Sequence, residues 1–185
     1  IGKDVFNHCA DLTMFTTRNS YAWDYANSNS INVSPVCIVS DWIPITSGKK
    51  VVRLNFVKLD KSGNETKVAY QTTATSANDY HYLLAIPEAD SGTYKYTITA
   101  PGYTSYTKTK ISISGQIEDL DAEIYAGDIN SDDMINVFDI SRIIKNYGQA
   151  SVAPETAYDL NDDGVINTED ISILIANLGR QSIVF

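Results

Sequence analysis

A stretch of 21 residues occurs twice without gaps at an offset of 31: DINSDDMINVFDISRIIKNYG at 128–148 and DLNDDGVINTEDISILIANLG at 159–179. Eleven of the 21 positions are identical. A repeat held in register over this length is one structural unit built twice, with each copy covering the apolar face of the other. The segment between the copies, Gln149 to Tyr158, contains Pro154 and small residues and reads as a connector. Charge follows the repeat. Residues 126–180 hold ten Asp and Glu against three Lys and Arg, so −7 of the chain's net −9 lies there. A solvated acidic tail does not place five identical oxygen-bearing side chains twice in register, so the acid density marks a cation site. No basic stripe is present to meet a phosphate backbone, which excludes nucleic acid as a partner.

The first half of each copy has the spacing of a twelve-residue calcium loop. In the first, Asp128, Asn130, Asp132, Met134, Asn136 and Asp139 occupy positions 1, 3, 5, 7, 9 and 12. In the second these are Asp159, Asn161, Asp163, Val165, Asn167 and Asp170. Calcium takes six to eight oxygens, and such a loop offers carboxylates at 1, 5 and 12, an amide oxygen at 3, Asn at 9 acting directly or through water, and a backbone carbonyl at 7, where the side chain is free to be apolar. Two Ca2+ ions are expected. Ile135 and Ile166, at position 8, are expected to pair across the two loops. Position 6 favours positive φ, which suits Gly164 and strains Asp133, so Asp133→Gly is expected to tighten the first site. Position 12 is Asp in both loops, a short side chain that asks the following helix to sit close to the ion.

The second half of each copy reads as a helix. Ile140, Ile143, Ile144 and Tyr147 recur at helical spacing, as do Ile171, Leu174, Ile175 and Leu178, and both sets are expected to face the core. Gly148 and Gly179 stand where a C-cap ends each helix. No helical pattern precedes either loop, so these are loop–helix half-hands. Val137 and Phe138 lie outside the expected core face, and Ile173 lies off its helix's core stripe, which makes them interface candidates.

Upstream the texture is that of a half-buried sheet. Val52, Leu54 and Phe56 share one face of a strand; Tyr94, Tyr96, Ile98 and Ala100 share another, with Lys95, Thr97 and Thr99 opposite. Strands are expected near 35–40, 50–59, 66–72, 80–86, 93–100, 104–114 and 119–125, punctuated by turn residues at 61–64, 91–92 and 101–102. Seven short strands argue for an antiparallel β-sandwich. Residues 1–34 are the least patterned; Tyr21, Trp23 and Tyr25 alternate, as an edge strand, a wrapped loop or a sugar-stacking row would. Cys9 and Cys37 leave one disulfide or two buried thiols open. His8 and His81 make no zinc pattern. The opening Ile1-Gly-Lys-Asp4 has neither an initiator Met nor a signal-peptide h-region, as in a processed chain or an excised fragment. No apolar run reaches the ~18 residues that membrane insertion requires.

The duplicated D-x-N-x-D-x-x-I-N-x-x-D-I unit over about 126–180 resembles the dockerin module of cellulosomes. That resemblance implies a small α-helical domain with paired loop–helix calcium motifs that binds a cohesin and attaches its parent protein to an extracellular complex. It also implies that loop positions 10 and 11 and the exposed helix face carry recognition: Val137, Phe138, Ser141, Arg142 and Lys145, then Thr168, Glu169, Ser172, Ile173 and Ala176. Many enzyme-borne dockerins carry a Ser-Thr-like pair at positions 10 and 11. The apolar first pair and Ile173 look more like the second, anchoring (type II-like) class. Leu84 to Tyr103, with its P-x-G-x-Y-like turn and Pro101-Gly-Tyr103 ending, resembles prealbumin-type, carboxypeptidase-regulatory-like sandwiches, which precede anchoring dockerins as X modules. The similarity covers about 45–125 and leaves 1–44 uncovered.

The expected organisation is therefore a sandwich over 1–125 and a dockerin over 126–185. The expected function is calcium-dependent binding of a cohesin on a scaffoldin or cell-surface anchoring protein, outside the cell. No G-x-S-x-G, H-E-x-x-H or phosphate loop marks an enzyme. The rival class is a carbohydrate-binding sandwich using Tyr21, Trp23, Tyr25 or Tyr80 and Tyr82, with a dockerin appended. A calcium signalling switch is disfavoured by the missing entering helices and the lack of Met-rich grooves.

Overall fold

The computed structural model describes residues 6, 9, 12–43, 50–75, 80–118, 120–150 and 157–185. His8 and the Pro154 connector lie outside the described residues. The alternating segments form two facing sheets. One holds β1 (Thr13–Thr16), β2 (Asn32–Trp42), β5 (His81–Pro87) and β8 (Gln116–Glu118). The other runs β4 (Glu65–Ala74), β3 (Val52–Leu59), β6 (Gly92–Thr99), β7 (Tyr106–Ile113) and β9 (Ile183–Val184). The long ladders, β2–β5, β4–β3, β3–β6 and β6–β7, are antiparallel. Three short pairings, β1–β2, β2–β8 and β7–β9, are parallel.

Period-two patterning sets the core. Val52, Leu54 and Phe56 of β3 and Tyr94, Tyr96 and Ile98 of β6 point inward and are fully buried, as the alternation requires. They meet Tyr82, Leu84 and Ile86 of β5 from the opposite sheet. The Phe56 and Tyr96 rings stack at 4.7 Å, and Phe56 reaches across to Tyr82 at 6.5 Å. A core this rich in tyrosine needs partners for its hydroxyls. The Tyr94 hydroxyl donates to the Asp90 carbonyl at 2.8 Å, and the Tyr82 and Tyr96 hydroxyls lie 3.3 Å apart.

Several expectations are corrected. Tyr21–Ser28 is a helix, α1, because Ser20 caps it by accepting from the Trp23 N–H. On a helix Tyr21 and Tyr25 share a side that Trp23 leaves. Tyr25 packs edge-on against Phe6, Arg18 sits over the Trp23 ring, and Tyr80 and Tyr82 are buried in the core. Tyr21, Trp23 and Tyr25 therefore do not line one strand face, and Tyr80 and Tyr82 are not on the surface. Of the expected strand at 119–125, the described residues 120–125 do not form a ladder strand. Leu120, Ala122 and Ile124 alternate inward and are buried, but the backbone bonds of this link go to 102–104: Thr104 N–H to the Tyr125 carbonyl, and Gly127 N–H to the Gly102 carbonyl at 2.7 Å. Cys9 is exposed and Cys37 buried, both as free thiols, so neither the bridge nor the pair of buried thiols is found.

The link leads directly into the repeats. Helices α2 (Val137–Lys145) and α3 (Thr168–Ala176) each follow a loop. Ile135, Ile143, Leu160, Ile166 and Leu174 join Ile124 and Tyr103 in one continuous buried cluster with the sandwich. Gly102 marks how tightly the halves meet: a Cβ there would stand 2.5 Å from the Ala157 carbonyl oxygen, and its φ is +76°. Gly102→Ala is expected to lose about 3 kcal/mol, combining overpacking with a left-handed alanine. Gly63, with φ +87° and open space around it, serves as control. Gly63→Ala should lose only about 1 kcal/mol. Equal losses in urea denaturation would contradict the tight junction.

Candidate metal loops and the helical face

Each loop is folded by its own ligand-type side chains. In the first, Asp128 accepts the N–H of Asp132 on Oδ1 and of Asp133 on Oδ2, at 3.1 and 2.9 Å. Asn130 Oδ1 accepts from Asp132 N–H, and Asp132 Oδ1 from Met134 N–H. Asp139 takes the N–H of Ile129 and Asn130 on Oδ1 and of Asn136 on Oδ2. The second loop repeats these bonds: Gly164 N–H to Asp159 Oδ2, Asp163 N–H to Asn161 Oδ1, Val165 N–H to Asp163 Oδ1, and Leu160, Asn161 and Asn167 N–H to Asp170. Positions 4 and 6 turn the chain through positive φ in both loops, at Ser131, Asp133, Asp162 and Gly164. Asn136 and Asn167 cap α2 and α3 in capping boxes completed by Asp139 and Asp170. The position-12 carboxylate thus fixes the start of the helix to the start of the loop.

The electrostatics of these loops call for a cation. Asp128, Asp139, Asp159 and Asp170 are all buried. Burial, first, pushes the Asp128 carboxyl above the ordinary range; the neighbouring Asp139 and Asp132 charges push the same way against the N–H bonds from Asp133 and Asp132. Asp159 Oδ1 is buried with no hydrogen-bond partner. An orphaned carboxylate oxygen at position 1 is the atom a calcium ion would take first, and the all-oxygen donor set suits a hard cation. Among the described residues no three carboxylate, imidazole or thiolate groups stand together as a ready cluster. The carboxylates are drawn onto N–H donors, including the side-chain amides of Asn130 on Asp132 and of Asn161 and Asn167 on Asp163.

The repeats are joined by exchange. Ile135 N–H donates to the Arg180 carbonyl at 2.9 Å, and Gly179 N–H to the Ile135 carbonyl at 2.9 Å. The equivalent bonds 31 residues away link Ile166 to Gln149 and Gly148, at 3.0 and 2.7 Å. Ile135 and Ile166 therefore do not pair with each other as expected. Each loop pairs with the segment that leaves the other repeat's helix, and both isoleucine side chains enter the shared core.

The helical faces also differ from expectation. Ile143 and Leu174 are buried and Ile140 and Ile171 partly so, but Ile144, Tyr147, Ile175 and Leu178 are each more than half exposed. The core stripe passes through Asp139 and Asp170 instead, because the loop wraps that side of each helix. Val137 and Phe138 are exposed at 63 and 67%, beside exposed Ser141, Arg142 and Lys145. Thr168, Glu169, Ser172 and Ala176 are exposed, whereas Ile173 packs partly against the core. Met134 and Val165, at position 7, turn their side chains outward.

Sequence reasoning missed the ties that five residues make between the loops and the rest of the fold. Lys50 Nζ lies 3.2 Å from Asp162 Oδ1, and the pair is almost wholly buried. Asp133 Oδ1 accepts from the Ser105 backbone N–H at 3.1 Å and the Ser182 hydroxyl at 2.5 Å. Burial opposes it, but these donors hold the Asp133 carboxyl below its ordinary range. The one readable signal was an acidic residue at a non-ligating loop position.

The family model of the dockerin type I domain matches residues 126–179. Two solved structures share the fold: C-terminal and N-terminal interface mutants of a type II cohesin–X-dockerin complex from Acetivibrio cellulolyticus. Each is matched at 21% identity over 78% of this chain and 97% of that one, with TM-scores of 0.56 and 0.55 respectively. No curated protein matches the chain. Residues 126–179 thus match the dockerin type I domain, and the chain as a whole shares the fold of the X-dockerin part of those complexes.

Proposed function

We propose that this chain is a non-catalytic attachment module: a sandwich over 1–125 that steadies a dockerin over 126–185, which binds a cohesin when two calcium ions are loaded. Asp128, Asn130, Asp132, Asn136 and Asp139, with the Met134 carbonyl, would hold one ion. Asp159, Asn161, Asp163, Asn167 and Asp170, with the Val165 carbonyl, would hold the other. Calcium supplies charge neutralisation there, and the loops' own N–H bonds set the ligand arms. The observation that carries the reading is the buried, unpartnered Asp159 Oδ1 in a loop whose other oxygens sit at calcium-ligand spacing. The setting is extracellular, and the cohesin belongs to a scaffoldin or a surface anchor. Among the described residues no helix is long and apolar enough to cross a membrane. Capture of a cohesin module on the immobilised full chain in calcium, with release by chelator, tests the proposal; failure to retain any cohesin of the source secretome would refute it.

The recognition face is asymmetric. Val137-Phe138 corresponds to Thr168-Glu169, Arg142 to Ile173 and Lys145 to Ala176. A half-turn of the dockerin on its partner would put Glu169 where Phe138 had been buried. Burying an unpaired carboxylate costs several kcal/mol, against roughly 2–3 kcal/mol from burying Phe. One orientation therefore dominates. Phe138→Ala is expected to lose at least ~1.5 kcal/mol of cohesin affinity. Since Ile173 is already half-buried, Ile173→Ala should act less on affinity and more on stability. Normal binding by both single variants, with failure only when both repeats are altered, would show two interchangeable faces.

A further inference from the structure

Asp133 stands at position 6 of the first loop, where the second loop has Gly164. It keeps a left-handed backbone, φ 64°, that glycine would adopt without strain. Three bonds meet at this residue. Its carboxylate accepts the Ser105 N–H, from the turn leading into β7, and the Ser182 hydroxyl, from the residue before β9. Its carbonyl accepts the Ser182 N–H at 2.9 Å. Beyond Ser182, β9 lies parallel to β7: Phe185 N–H donates to the Thr107 carbonyl at 3.0 Å, and Thr109 N–H to the Phe185 carbonyl at 2.8 Å. Asp133 N–H in turn donates to Asp128 Oδ2, the position-1 carboxylate. A continuous hydrogen-bonded path thus runs from the candidate ligand Asp128 through Asp133 and Ser182 to the edge strand of the sandwich.

We propose that Asp133 is a coupling residue: occupation of the first loop by calcium locks β9 onto β7, and the docked strand in turn holds the first loop in its cation-binding shape. This rests on the calcium reading above. The second loop has no side chain at position 6 to make such a link, so the coupling belongs to the first loop. Reciprocity follows from linkage: whatever factor calcium adds to strand docking, docking adds to calcium affinity.

Hydrogen exchange on the full chain, with calcium binding followed in parallel by calorimetry, tests this. In the unaltered protein with the second loop already loaded, filling the first loop with calcium should slow exchange at the Thr109 and Phe185 amides by about tenfold, within the usual range of coupling between sites. In Asp133→Gly the loop keeps its backbone shape and should still bind calcium, with the relief of left-handed strain offset by the lost coupling instead of the plain tightening expected from the loop alone, and the slowing at those two amides should fall below about twofold while the β3–β6 ladder is unchanged. Ser182→Ala, which removes only the hydroxyl donor, should shift the same amides in the same direction. Full calcium-dependent slowing in Asp133→Gly, or none in the unaltered protein with calcium bound, overturns the coupling. Absence of calcium binding at either loop overturns the calcium reading itself, and the coupling with it.

Discussion

Chelating calcium from the full chain is expected to abolish the helical circular dichroism of α2 and α3 while the β-sheet signal persists. Six carboxylates, Asp128, Asp132, Asp139, Asp159, Asp163 and Asp170, are carried on two twelve-residue loops, and four of them are buried. Without a cation, burial costs several kcal/mol for each charge and mutual repulsion adds to it. Their N–H donors satisfy lone pairs but bring no net positive charge. Two nine-residue helices are too short to persist alone. Metal binding then supplies the folding free energy of this half. The sandwich keeps its own tyrosine core and should remain folded, with a lower melting temperature because its shared cluster with the repeats is opened. Circular dichroism and melting curves that do not respond to chelator would exclude the calcium reading.

Lys50→Met should be the most damaging single substitution at the junction. The Lys50 side chain is fully buried, and its partner Asp162 is 7% exposed. Burial, first, and the Asp162 charge also raise the Tyr80 hydroxyl's pKa, which places a third polar group beside the pair. Removing one member of a buried pair leaves an uncompensated charge, a loss of about 3–5 kcal/mol. The double variant Lys50→Met with Asp162→Asn removes both charges and should recover most of that loss, giving a coupling energy of the order seen for contacting residues. A single-variant loss below about 1 kcal/mol would mean that the pair is relaxed and hydrated.

The repeats and most of the strands were legible because their periods are strong. Two-residue alternation placed Val52, Leu54, Phe56, Tyr94 and Tyr96 correctly, since a one-residue slip would have put every one of them in water. Helical spacing found α2 and α3 and placed Ile140, Ile143, Ile171 and Leu174 correctly, but it drew the stripe too far, because Ile144, Tyr147, Ile175 and Leu178 look like core until the loop is seen wrapping the Asp139 and Asp170 side. Alternation also misread Tyr21, Trp23 and Tyr25: three aromatics two apart suit a strand, but the Ser20 cap decides for helix. Leu120, Ala122 and Ile124 alternate into the core without a ladder, since packing periodicity does not require a hydrogen-bonded neighbour. Lys50 stood at the start of an expected strand with nothing to mark it as buried, and β9 is two residues long; neither carries a local signal, because both depend on chain folded more than seventy residues away.

The crossed arms of the two repeats impose an order in time. Ile166 takes its partners from Gly148 and Gln149, which precede it in the chain, so the second loop can close as soon as it is made. Ile135 takes its partners from Gly179 and Arg180, more than forty residues later. A chain that emerges from its N-terminus therefore exposes the first loop throughout synthesis of the second. The first half-hand to be made is the last to finish, and a ribosome paused between them holds a chain with one repeat fully written and neither one folded.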